Sequence, residues 1–229
     1  MKALFLFIYL SFMSLGLSAQ VLSGLDAQNN LNDIGGQGVT VREIAPIKGN
    51  TQGSPYLSEA FLKGILVLSN GETFNTELNL DLMKGVIYAK SQRGILMLEA
   101  SKVDTIKIID KEVERIFLPS YGIKLGCESC LIEYLGEYKG QFFYGRENVL
   151  FEPAQVGGAY NAGKDYDRYL RKLEVATLVN GEASSLNKLN NKWLKEVLGD
   201  DFKAFKSIEK SQNLDSNDPL AFKKMLLML

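Results

Sequence analysis

Short apolar runs recur about every ten residues between Phe61 and Leu118, and the breaks between them are too short to hold a crossover helix. Strands joined this closely pair as antiparallel neighbours, so the pattern predicts a β meander and argues against a parallel α/β architecture. The clearest break is Ser69-Asn70-Gly71-Glu72, which follows Leu62, Ile65, Leu66, Val67 and Leu68. Asn-Gly tolerates positive φ at both central turn positions, so a type I′ hairpin is expected there, with Phe74, Thr76, Leu78 and Leu80 returning at period two. Further strands are read at Val86 to Lys90, Ile95 to Ala100, Val103 to Ile109 and Val113 to Leu118. Two or three more belong between Ile123 and Phe151, where aromatic and β-branched side chains are dense.

The flanking segments complete the plan. Residues 20–55 read as a flexible leader, with a short strand around Val39, Val41 and Ile44 and a turn-rich connector from Lys48 to Pro55. Residues 56–151 form the meander, and 152–165, with Pro153, Gly157, Gly158 and Gly163, a long loop. Tyr166 to Val179 fits either a helix or a strand running into Asn180-Gly181, and the strand is the preferred reading. After it, Ser184 or Ser185 is placed to cap a helix carrying Leu186, Leu189, Trp193, Val197 and Leu198 and ending at Gly199. A second helix is expected from Asp200 or Asp201, with Phe202, Phe205 and Ile208 on one side. A third is expected from Asp218-Pro219, an N-cap followed by a first-turn proline. The fold class is α+β, mainly β: an antiparallel meander forming a curled sheet or partial barrel, with two or three C-terminal helices packed on the same domain. A terminal helical segment speaks against an outer-membrane barrel, whose strands persist to the end.

The N-terminus carries an address. Lys2 precedes an apolar run from Ala3 to Leu17 that closes on Ser18, Ala19 and Gln20, the three-part pattern of a secretory signal peptide over residues 1–19. The run is shorter than the roughly 20 residues that span a bilayer. Cleavage is therefore expected, after Ala19 or after Ser18, with Gln20 the preferred mature start and no transmembrane segment left behind. Of 26 basic residues Lys2 is lost with the leader, so 25 face 27 acidic ones, a net charge of −2 with no long run of either sign. Nucleic acid and anionic lipid surfaces are poor partners for such a chain, because both need a concentrated basic face.

The chain contains no histidine, which removes the usual general base, the usual activator of a serine or cysteine nucleophile and the commonest transition-metal ligand. Cys127 and Cys130, the only cysteines, flank Glu128-Ser129. A disulfide across a turn is the leading reading in an oxidising compartment. The redox alternative wants a helix N-terminus that lowers a thiol pKa, and Leu125-Gly126 before the pair and Leu131-Ile132 after it read as turn and strand. Two sulfurs without a second pair make no zinc site. Glu128, Glu133 and Glu137 invite a glycosidase reading, against which a solvated strand face is the default. The aromatics from Tyr134 to Tyr169 suit a ligand platform less well than cross-strand packing. Gly35-Gly36-Gln37-Gly38 lacks the lysine and following helix of a phosphate loop and reads as a turn. Phe202, Phe205, Phe222 and Met225 are expected on a buried helix face. No catalytic set, metal site or cofactor site can be assembled.

The stretch from Tyr56-Leu57-Ser58-Glu59-Ala60-Phe61 through Gly64-Ile65 to Asn70-Gly71 resembles a family of uncharacterised exported β-rich proteins of diderm bacteria with a helical C-terminus. Tyr169 through Asn180-Gly181, Leu189 and Trp193 to Leu226 is similar to that family's last strand, turn and helices. The apolar tail Met225-Leu226-Leu227-Met228-Leu229 and the cysteine pair depart from it. The resemblance implies location and architecture; it carries no activity and no site residue.

The function expected on these grounds is a non-enzymatic binding or structural component of the cell envelope, periplasmic or outer-membrane-associated. Its partner would be an envelope protein or an apolar small ligand. The alternatives are a carrier of a lipid or other apolar ligand inside a curled sheet, and a secreted hydrolase using carboxylates. The intact mass of the exported protein is expected to match a chain starting at Gln20 and to rise by two hydrogens on reduction of Cys127 and Cys130. An unprocessed mass, or no rise, would contradict the corresponding reading.

Overall fold

The computed structural model describes residues 39–41, 44, 47, 49–92, 94–120, 130–154 and 165–229. Residues 1–38, with Ala19, Gln20 and the glycines at 35, 36 and 38, lie outside the described residues, as do Cys127, Glu128 and most of the 152–165 loop.

Among the described residues, thirteen strands form one sheet. The first eight are β1 (Val39–Val41), β2 (Thr51–Gln52), β3 (Leu62–Leu68), β4 (Thr73–Asp81), β5 (Val86–Ser91), β6 (Gly94–Glu99), β7 (Val103–Asp110) and β8 (Val113–Pro119). Then come β9 (Leu131–Tyr138), β10 (Gln141–Glu152), β11 (Asp167–Val179), β12 (Glu182–Ala183) and β13 (Asn187–Lys188). The spatial order is 1-6-5-4-3-7-8-9-10-11-12, so the path has two free ends and the sheet is curled without closing. Among the described residues every strand pairing is antiparallel except that of the two-residue β2, which lies parallel to β11. Tyr166 to Val179 is a strand, as preferred.

Neighbour pairing, expected throughout the meander, breaks once. β7 pairs with β3 rather than with β6, which precedes it in sequence. In a flat sheet β6 and β7 would stand four strand spacings apart, about 19 Å at about 4.8 Å each. Their connection is a single 3-10 turn, Ala100–Lys102, which advances only about 6 Å. The sheet must therefore fold back on itself, and β4 is where it does so. Leu78 pairs with Leu62 on β3 and with Ala89 on β5; before it β4 is in register only with β3, after it only with β5. Inside the curl Leu66, Phe74, Leu80, Ile87, Leu98 and Ile106 are fully buried. Gly64 is needed at this corner, since a Cβ there would meet the Lys107 carbonyl oxygen at 2.4 Å and Leu78 Cδ1 at 2.9 Å.

The C-terminal helices cover the same face further along the sheet. They are α1 (Asn191–Leu198), a 3-10 turn, α2 (Phe202–Ser211) and α3 (Pro219–Leu227). Trp193, Leu194, Phe205, Phe222 and Met225 pack with Leu135, Phe143 and Val175 of β9–β11 into a second apolar core. Asp218 caps α3 as expected, accepting from Leu220 N at 2.8 Å and Ala221 N at 3.0 Å. The first helix starts later than Ser184 or Ser185. Asn190 is its cap, accepting from Trp193 N at 3.0 Å. The Ser184 hydroxyl instead accepts from Thr177 N, and Asn187–Lys188 pairs with β11 as β13. Strand pairing thus takes up the residues that a helical spacing alone assigned to α1.

The outer edge of β11 is covered in pieces. β2 takes Asp167 and Arg168, β13 takes Glu174 and Val175, and β12 takes Leu178 and Val179. Between them Arg171 donates to the carbonyls of Ser54 and Tyr56.

The turns differ from expectation in one respect. Leu68 O accepts from Gly71 N, Leu68 N donates to Glu72 O, and Gly71 has φ +88° while Asn70 is not among the positive-φ residues. This is a three-residue loop in which glycine forms the bulge, and the Asn70 side chain is held by Glu72 N rather than by a left-handed backbone. Two-residue turns with positive φ at both positions occur at Lys111-Glu112, Lys139-Gly140 and Asn180-Gly181. Lys111 and Glu112 hold left-handed φ of 49° and 68° without glycine. Replacing them with Asn-Gly is expected to raise the unfolding free energy by about 1 kcal/mol, read as a higher urea midpoint at unchanged slope.

Candidate functional site

Two features of the sheet carry unusual chemistry: a buried charge cluster on its inner face and a groove on its outer face. The cluster follows from strand alternation. On β8 Arg115 is in phase with Phe117 and Pro119, and all three are buried. On β9 Glu133 is in phase with Leu131 and Leu135, again all buried. Phe117 and Leu131 belong to the core inside the curl, Leu135 to the core under the helices. The charges therefore sit at the seam between two apolar cores.

There Arg115 grips Glu133 with both arms of its fork, Nε to Oε1 at 3.0 Å and NH2 to Oε2 at 2.6 Å. It also reaches Glu147 Oε1 on β10 at 2.9 Å and Asp110 Oδ2 on β7 at 3.3 Å. Glu147 accepts in turn from Arg171 at 3.3 Å. Lys223 of α3 donates to the Glu114 carbonyl, bringing another positive charge close to Glu133. Burial works against the charged guanidinium, but the hydrogen bond and charge of Glu133, then those of Glu147, hold Arg115 above its ordinary pKa. Burial pushes the Glu133 carboxyl up, and Arg115 pulls it back. Since an arginine stays protonated, the pair is ionic.

The outer-face groove, about 610 Å³, opens beside the corner. Its floor is the outward side of β3 and β7: Ile65 stands opposite Lys107, and Lys63 and Ile109 flank the next pair, Gly64–Ile108. Asn75, Thr76 and Glu77 of β4 form one side, and Glu114 of β8 lies at the other. The tip of the β5–β6 hairpin, Lys90 to Gln92, closes the wall, because β5 leaves β4 after Leu78–Ala89. Lys90 is committed, ion-paired to Glu77 and lying over the Phe61 ring, 5.1 Å from its centroid. Among the described residues Lys63 and Lys107 form no ion pair within 4.0 Å. Ile109 is 45% exposed.

The residues singled out from sequence scatter. Glu133 is buried and ion-paired, a correction to the solvated strand face expected for it, whereas Glu137 is exposed. The register shift where Gly136 adopts φ +141° separates them. Cys130 is buried ahead of β9 and is not a free thiol, while its expected partner Cys127 lies outside the described residues. The aromatics divide: Phe143 joins the helix core against Trp193 and Phe222, and Tyr134 packs across strands on Phe142 and Tyr144. Phe205, Phe222 and Met225 are buried as expected. Arg115, Glu147 and Lys107 were not foreseen as a set, although Arg115 in phase with Phe117 is a legible sign of an inward charge.

Among the described residues no group of three or more Cys, Asp or Glu side chains could hold a metal ion, and no helix is long and apolar enough to cross a membrane. No protein-family model, curated protein or solved structure matches the chain.

Arg115→Met strands Glu133 in an apolar seam and is expected to cost about 3–5 kcal/mol, most of it restored in the double variant with Glu133→Leu. In the single variant, with Lys223 alone left to oppose them, burial and the charge of Glu147 hold the Glu133 pKa above its unfolded value. Its contribution is then fully present below the ordinary glutamate range and lost as pH rises through the raised value. The deficit against the parent should therefore shrink as pH falls from about 7 to about 4. A deficit independent of pH would contradict this account.

Proposed function

We propose that this chain is an exported, non-enzymatic binding component of the cell envelope, and that its ligand is a small molecule with an apolar body held in the outer-face groove. The groove is the observation that carries the reading. Its volume lies in the range of single-ligand sites, and its lining sets the exposed Ile109 and the half-buried Ile65 as an apolar strip among polar and charged side chains. The export pattern at residues 1–19 supports the location.

The two alternatives have less behind them. A carrier that encloses its ligand needs space within the curl, and that space is filled by fully buried side chains. A carboxylate hydrolase needs one acid with a proton to give and one base with a free lone pair, set across a cleft. Glu133 is instead forked onto Arg115, and Glu147 is shared between Arg115 and Arg171. That arrangement suits a structural tie.

Native mass spectrometry after incubation with an envelope small-molecule extract is expected to show a one-to-one adduct that is lost in Ile109→Glu. No adduct, or one that survives this substitution, would remove the reading, and steady turnover of a glycoside or ester substrate would replace it with the hydrolase.

A further inference from the structure

Ile65, Lys107, Lys63 and Ile109 form a checkerboard on two adjacent strands, with the two lysines on one diagonal and the two isoleucines on the other. Like charges placed on neighbouring strands of one face repel and cost stability. Sheets ordinarily relieve this with a carboxylate opposite each ammonium. Here Glu77, the acidic neighbour across from Lys63 on β4, is taken by Lys90. Glu114 stands opposite Ile109 on β8, diagonal to Lys107, and forms no ion pair with it within 4.0 Å. Three lysines thus face two glutamates in one small groove, and the two ammonium groups without an ion pair within 4.0 Å among the described residues stand beside its exposed apolar floor.

We propose that the groove binds an amphipathic carboxylate, with the head between the ammonium groups of Lys63 and Lys107 and an aliphatic body along Ile65 and Ile109. This rests on the groove being a binding site and adds the chemistry of what it selects. Each half of such a ligand answers a specific feature. A carboxylate between two ammonium groups removes their repulsion and makes charge-assisted hydrogen bonds. An alkyl chain on the isoleucines removes their surface from water. Neither half alone suffices: a bare anion leaves the isoleucines wet, and a neutral chain leaves the lysines opposed. Glu114 at the far side repels a second head, which fixes one orientation. Lys90, bound to Glu77 and stacked on Phe61, is part of the wall and not of the receptor.

The test is calorimetric titration of the full mature chain with three probes: dodecanoate below its micellar concentration, dodecanol with the same chain and no charge, and acetate with the same head and no chain. Dodecanoate is expected to bind one per chain, dodecanol about tenfold more weakly or worse, and acetate without measurable heat. Lys63→Gln with Lys107→Gln should remove the preference for dodecanoate over dodecanol, and Lys107→Arg should keep it. Both positions are on the outer face, and a thermal transition no lower than the parent's shows that the fold is intact. Equal binding of the two alkyl probes, or a head preference that survives the double variant, overturns the carboxylate assignment and leaves the groove as an apolar site. Binding of neither alkyl probe, or binding untouched by Ile109→Glu, overturns both the assignment and the groove.

Discussion

The change of partner at Leu78 is the constraint from which the rest of the architecture follows. Because β4 leaves β3 for β5 at that residue, the sheet bends, the end of β6 comes back to the start of β7, and three residues suffice to join them. The same bend makes an inside, filled by Leu66, Phe74 and Ile106, and an outside, where the β5–β6 hairpin tip leaves the β4 ladder, is tied to β4 through Thr76 and Glu77, and walls the groove. Core and groove are two sides of one corner. Gly64 makes the corner sterically feasible, and this ties a residue with no side chain to both packing and binding.

A second constraint joins the two halves. The curl and the helix-covered strands each have their own apolar core, and the charge cluster around Arg115 occupies the seam. A charged seam is a costly way to join cores, since apolar residues of the same shape often serve as well or better. What it supplies is direction. The fork of Arg115 fits a carboxylate in one register only, so β8, β9 and β10 are aligned by hydrogen bonds as well as by packing. Arg171 extends that alignment to β11 and to the chain segment at Ser54 and Tyr56.

Much of this could be read from residue order, for physical reasons that differ by element. Strand bounds from β3 to β8 were legible because local turn chemistry and period-two alternation agree there. Asp218-Pro219 was legible because a cap and a first-turn proline act within one turn of helix. Failures came where distant residues decide. Helical spacing alone starts α1 too early because Asn187 and Lys188 are claimed by β11, a pairing no local pattern shows. Asn70-Gly71 reads locally as a two-residue turn, because only pairing of Leu68 with Glu72 distinguishes it from a three-residue loop. Residue type alone places Glu133 on a wet face, whereas its phase with Leu131 and Leu135 turns it inward. The groove lay beyond reach altogether, since Lys63 and Lys107 meet only through the register of β3 on β7.

The patchwork along β11 bears on how such a chain survives at high concentration. A strand of thirteen residues with a bare flank would offer a template onto which another molecule's strand could add, and repetition of that step builds fibrils. Here three separate two-residue segments pair along the flank and Arg171 ties the run between two of them to the carbonyls of Ser54 and Tyr56, so among the described residues no more than Tyr169 to Leu173 stands outside strand pairing in one piece. Each patch is held by different parts of the molecule, so losing any one exposes only a few residues. Protection against self-assembly is in this way distributed, and no single local opening abolishes it.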